Sequence, residues 1–238
     1  MSAPAPSGPE LRPPGYVRTV LIVLAKDART ELRSKQTLAT MLLFGLVLTF
    51  VYAFGFVSDP ATNKKVMPGA MWGALLFAGT LGVGRTFARE AEDGAFGALV
   101  LSPAERSAIL LAKIVVNVAL SALVMLVVVP LLAVMLRVDL TDCAGLIGLQ
   151  LLLGAIGFAA VGTPLAVMAV SARFAEVLLP IVVFPMVTPV LIAGVKGASV
   201  ALGTSIETDP WPWLQFTAAY GLVFGAGGLF LFERMVTE

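Results

Sequence analysis

Six stretches of about twenty predominantly apolar residues dominate the pattern of this chain: Leu38–Val57, Val66–Gly84, Ile114–Leu136, Ala144–Val170, Val177–Val195 and Trp213–Phe232. At about 1.5 Å of rise per residue, each is long enough to cross roughly 30 Å of hydrocarbon as a helix. Short segments of strict in–out alternation are absent, and an unpaired backbone is costly in lipid, so helices rather than a barrel are expected. The pattern predicts an all-α polytopic membrane protein with six transmembrane helices. The longest polar interruption is Arg85–Lys113, RTFAREAEDGAFGALVLSPAERSAILLAK, between the second and third spans. It carries four acids (Glu90, Glu92, Asp93, Glu105) and four bases, and must sit in water.

Ahead of the spans the pattern changes twice. Residues 1–15 hold five prolines and almost no large apolar side chains, which predicts a disordered leader. Over residues 16–37, Val17, Val20, Leu21, Leu24, Ala28 and Leu32 recur at spacings of three and four, with Lys26, Arg29 and Arg33 opposite. This reads as an amphipathic helix in the cytoplasmic headgroup layer, basic face toward anionic lipid, or as a charged stem of the first span. Residues 38–238 then form a single permease domain. The first apolar run starts too late, and behind too many charges, for a cleaved signal peptide.

Proline and glycine punctuate the spans. Asp59-Pro60 predicts the turn into the second span, Pro68 its first helical turn, and Trp72 an interfacial anchor. Pro130 should kink the third span, and Pro164 should break the fourth toward its cytoplasmic end. Gly154, Gly157 and Gly162 offer a smooth strip, for close helix packing or for a ligand-lining groove. The fifth span carries Pro180, Pro185 and Pro189, the last two on one face; such a broken helix fits either a translocation path or a structural kink. Ser171–Glu176 is an inner turn, residues 196–212 the largest outer loop, and Trp211 and Trp213 anchor its end.

Inside the charged elbow, Arg85–Glu92 continues as a helix leaving the membrane and Asp93-Gly94 is a turn signal. Ser102-Pro103-Ala104-Glu105 has the form of a capping box with proline at the first helical position, so a new helix should begin there and run into the third span. On spacing alone the acidic cluster is either a docking surface or a solvated loop.

Composition sharpens the class. With 58% apolar and 13% charged residues in 238, the chain has about half the charge of a soluble domain, where roughly 25% is usual. If the N-terminus is cytoplasmic, that side holds twelve Lys and Arg against four on the other, which places both termini inside. The single cysteine, Cys143, cannot form an intramolecular disulfide and reads as a small apolar filler, and histidine is absent. No G-x-x-x-x-G-K-[ST] motif occurs, and no basic stripe interleaved with aromatics points to nucleic acid. The spans offer no metal-ligand cluster or carboxylate pair, which argues against an ion-coupled transporter or a membrane metalloenzyme. A passive or externally driven permease remains.

The elbow pattern R-x-F-A-R-E-x-E-D-G, followed by L-x-L-S-P and Lys113, resembles the cytoplasmic coupling region of type-two ABC exporter permeases. With ELRSKQ at 31–36, MPGAMW at 67–72, LLFAGTLGVGRTFARE behind it and LPIVVFPMVTPVLI at 179–192, the chain more specifically resembles the CcmB family. The likeness covers nearly everything after residue 16; Gly97 departs from it, standing where that family usually has Glu. The resemblance implies the permease subunit of a haem exporter in cytochrome c maturation, in the bacterial inner membrane. It implies a homodimer bound to two copies of a CcmA-type ATPase that holds the ATP, with CcmC and CcmD as membrane partners and the chaperone CcmE downstream. Arg89, Glu90, Glu92, Asp93, Gly94, Ser102, Pro103 and Glu105 would then face the ATPase. No cofactor is expected on the subunit itself, haem being a substrate of the complex. A generic lipid or drug exporter permease and a non-transporting membrane scaffold are the alternatives.

Overall fold

The computed structural model describes residues 15–55, 59–92, 105–170 and 175–235, and every regular element among them is helical. A helix α1 (Tyr16–Ser34) precedes six long apolar ones: α2 (Gln36–Gly55), α3 (Pro60–Glu92), α4 (Arg106–Leu136), α5 (Ala144–Val170), α6 (Ala175–Ala201) and α7 (Trp211–Met235). Each of the six contains a window long and apolar enough to cross a membrane, as the apolar pattern predicts.

Local chemistry sets the helix ends. Asp59 caps α3: Oδ2 accepts from the amides of Ala61 and Thr62 at 3.1 and 3.2 Å, and Oδ1 from the Thr62 hydroxyl at 2.7 Å. Pro60 therefore takes the first helical position and the helix starts earlier than the apolar run. Pro68, expected in the first turn, lies inside the helix instead. At the other end α4 closes on Arg137 in the left-handed region (φ 55°), with the Val138 amide donating to Ala133 O at 2.9 Å. The last turn of α6 closes the same way through Gly203 at φ 66°, where a side chain would be strained. Residues up to Ala201 are thus helical, and the outer loop is shorter than the sequence pattern indicates.

Of two expectations about proline and tryptophan, the first narrows to a continuous helix and the second is overturned. The fifth span is not discontinuous: α6 runs unbroken from Ala175 to Ala201 through Pro180, Pro185 and Pro189. A proline removes one hydrogen bond, but neighbouring turns and packed helices hold the rest of the ladder. Trp72 is not an interfacial anchor but a core residue, 1% exposed. A Cβ added at Gly154 of α5 would come within 2.1 Å of its ring, and one at Gly194 of α6 within 2.0 Å. Two glycines from two helices therefore make the slot that the indole fills.

Around Trp72, one apolar cluster joins Met41, Met67, Met71, Leu75, Val128 and Leu132 toward the α3 start. A second, nearer the elbow end, joins Val83, Leu110, Ile114, Phe158, Leu179 and Val187. Span α3 is the most enclosed, with 67% of its apolar window buried, whereas α2 and α7 are peripheral at 22% and 17%. Polar side chains pin the helices to one another: Asn63 Nδ2 donates to Leu136 O at 3.0 Å, Asn117 Nδ2 to Thr163 Oγ1 at 3.2 Å, and Gln150 Nε2 to Thr217 Oγ1 at 2.9 Å.

Candidate coupling site

The elbow joins the two helices best placed to carry a movement into the bundle. The described part of α3 continues as one 33-residue helix to Glu92, so its last turns leave the apolar window as an extension of the most buried span. Arg89, Glu90 and Glu92 stand on these last turns. Asp93, Gly94, Ser102 and Pro103 fall outside the described residues. Glu105 is placed, but not as the capping box requires. It is the N-cap residue of α4, in extended backbone (φ −62°, ψ 123°) and without a side-chain cap hydrogen bond. The helix entering the third span starts at Arg106, so Glu105 stands at its threshold rather than in a first turn begun at Pro103.

Beyond that threshold α4 is buried at once. Ser107, Ala108, Ile109, Leu110, Ala112 and Lys113 are all enclosed, on nearly every side of the first two turns. Leu110 and Ile114 meet Val83 of α3 and Leu179 and Val183 of α6. Ile109 and Ala112 meet Val23 of α1, with Val20 and Leu24 packed around them. The start of α4 is thus packed against α1, α3 and α6 at once.

The centre of this junction is an ion pair that the sequence pattern does not reveal. Lys113 Nζ lies 2.8 Å from Asp27 Oδ2, with side-chain exposures of 2% and 9%. Oδ2 makes no contact meeting hydrogen-bond geometry, so this is a charge pair rather than a directional bond. Lys26 approaches the same carboxylate from the exposed side at 3.4 Å. A charge buried in an apolar setting needs such a partner, because desolvating it alone costs several kcal/mol, on the order of 5. The available signal was an acid among the bases of α1 and a base seven residues into an apolar helix, of opposite sign.

The prolines separate into different surroundings. Pro130 lines a cleft of about 540 Å³ between α4 and α5, with Met125, Ala133, Ile147 and Gly148. Pro185 and Pro189 share one face, as their spacing predicts, and line a smaller cleft of about 340 Å³ with Thr188, Trp213 and Phe216. Pro164 packs on α7, its Cγ 3.0 Å from where a Gly228 Cβ would lie, and Pro180 is half-buried. Close packing accounts for the glycine strip: Gly157 faces Val190 and Tyr220, and the backbones of Gly221 and Gly157 approach so closely that a Gly221 Cβ would lie 3.5 Å from Gly157 Cα.

At the opposite end of the bundle, hydrogen bonds from Thr62 and from Thr141 hold the carboxyls of Asp59 and Asp139 below the usual carboxylate range. Burial raises the Cys143 thiol, consistent with a small apolar filler rather than a reactive thiolate.

Comparison with known proteins assigns this architecture. Residues 18–231 match the family described as CcmB protein, which takes in all seven helices but the ends of α1 and α7. The chain belongs to the CcmB family. Among its relatives is the heme exporter protein B of Pseudomonas aeruginosa, 28% identical over 201 residues, covering 84% of this chain and 90% of the relative. The protein of the same name from Rhodobacter capsulatus is 27% identical over 174 residues, 73% of this chain and 79% of the relative. That of Paracoccus denitrificans is 26% identical over 200 residues, again 84% and 90%. The CcmB match covers the elbow and all six apolar helices, and nearly all of α1, in a single stretch.

Proposed function

We propose that this chain is the membrane subunit of an ATP-driven haem-export system of cytochrome c maturation, a multi-pass protein of the bacterial inner membrane. The match to the CcmB family over residues 18–231, with relatives named heme exporter protein B, supports the activity. The observation that supports the mechanism is the burial of the first two turns of α4 immediately after Glu105. The chain has no P-loop, so ATP is bound and hydrolysed on a partner subunit of the CcmA type. That partner docks on the elbow through Arg89, Glu90, Glu92, Asp93, Gly94, Ser102, Pro103 and Glu105, with both termini on the same cytoplasmic side.

In this reading the elbow transmits ATPase movement as a rigid-body shift. The extension of α3 and the first turns of α4 move together, and α1 follows through the Asp27–Lys113 pair. Two copies of the subunit work with two ATPases, beside CcmC and CcmD, and the cycle serves delivery of haem to CcmE. Haem is a substrate of the complex. The chain has no histidine to ligate iron, so its part is an ATP-driven rearrangement that releases loaded chaperone.

Complementation tests the reading. In a strain deleted for its own subunit, this chain should restore cytochrome c assembly and co-purify with the ATPase. Failure of both would contradict it. Stoichiometric, axially ligated haem in the optical spectrum of the purified subunit would contradict the assignment of haem as substrate alone.

A further inference from the structure

Helix α1 has three faces where the sequence pattern predicts two. At about 100° per residue, Thr19, Val23, Asp27 and Thr30 fall on one side, and this side packs against α4. Val17, Leu21, Ala28 and Leu32 fall on a second, and are exposed, Val17 to 68% and Leu32 to 72%. Arg18, Arg29 and Arg33 fall on a third with the exposed Ile22 among them, and Lys35 stands at the end of the helix.

The two acids of α1 are both drawn away from the exposed faces. Asp27 is buried against Lys113. Glu31 Oε1 accepts the Leu38 amide at 2.8 Å, which satisfies an otherwise unpaired donor in the first turn of α2. What α1 presents outward is therefore an apolar stripe beside a stripe of cations. That is the surface an interfacial helix needs, with the apolar side at the acyl boundary and the bases among the headgroups.

We propose that the outer faces of α1 form a binding surface for anionic phospholipid headgroups, and that the internal use of Asp27 and Glu31 gives this surface its unmixed positive charge. The occupant is a lipid surface rather than an acidic protein, because the exposed apolar stripe runs alongside the cations and fits a bilayer boundary. This rests on α1 lying at the membrane surface, the first of the two readings of its sequence pattern, and it requires neither the ATPase nor haem. Through the Asp27–Lys113 pair, α4 would then be held relative to the headgroup layer.

The full-length subunit alone, in nanodiscs of phosphatidylcholine or of phosphatidylcholine mixed with phosphatidylglycerol, supplies the test. Hydrogen–deuterium exchange of residues 17–34 is followed in each. Exchange should be slower with phosphatidylglycerol, and the difference should shrink at high salt. R18Q/R29Q/R33Q should abolish it, since three such cations shift partition onto an anionic surface by on the order of 100-fold. Unchanged exchange in the spans of the variant shows that it is folded. Equal exchange of the wild type in both lipids would overturn the proposal, as would protection that persists in the triple variant. Protection that arises only when purified ATPase is added would overturn it too and assign the face to a protein. Because ATPase coupling and haem delivery play no part in the measurement, its failure would leave the proposed function untouched.

Discussion

Asp27 of α1 and Lys113 of α4, 86 residues apart in the chain, meet at 2.8 Å in a buried pair near the start of α4. Removing one partner of such a pair costs about 3–5 kcal/mol, whereas replacing both by apolar groups is often neutral. The two single variants should differ. Lys113→Met leaves Asp27 within 3.4 Å of Lys26, while Asp27→Asn removes the charge facing a fully buried ammonium. Thermal unfolding in detergent should therefore rank Asp27→Asn below Lys113→Met, with the double variant Asp27→Leu/Lys113→Met above both. A double variant no more stable than the worse single one would remove the pair from the account.

The slot around Trp72 makes a steric prediction. Gly194→Ala places a methyl group 2.0 Å from the indole and should destabilise by about 1–3 kcal/mol, the usual range for overpacking a core. Trp72→Leu should recover much of that loss when combined with it. Additive losses in the combined variant would mean that the glycine is needed for some other reason.

Asp59 makes a pH prediction. Its hydrogen bonds to Thr62 and Ala61 lower the folded-state carboxyl below its unfolded value. A depressed acid stabilises above the unfolded pKa, and that stability disappears as pH falls through the folded one. The wild-type unfolding midpoint should thus gain an acid-side decline that Asp59→Asn lacks, since Asn still caps but does not titrate. Parallel curves for the two proteins would count against the cap.

The spans were legible because a run of about twenty apolar residues leaves few alternatives in lipid. Cap chemistry was legible in part: Asp59-Pro60 starts α3 as those residue types suggest, but Glu105 looked like the third residue of a helix and is its N-cap. What stayed hidden needed partners from distant segments. Nothing near Trp72 in the chain shows that Gly154 and Gly194 will open a slot for it, so its position after Pro68 looked interfacial. Lys113 was legible as the last charge of the elbow, but nothing in the pattern of α1 singles out Asp27 as its partner. The three prolines of α6 left two readings open, and the helix is continuous through all of them. Local propensity predicts a break, and packing between α5 and α7 keeps the helix whole.

The central claim is that energy enters at the elbow, and ATP hydrolysis by the reconstituted complex tests it most directly. In the charge-reversed variant E90K/E92K/D93K the subunit should insert and fold as the wild type does, while stimulation of the partner ATPase and cytochrome c yield both fall at least several-fold. Wild-type stimulation and wild-type yield in that variant would contradict the account.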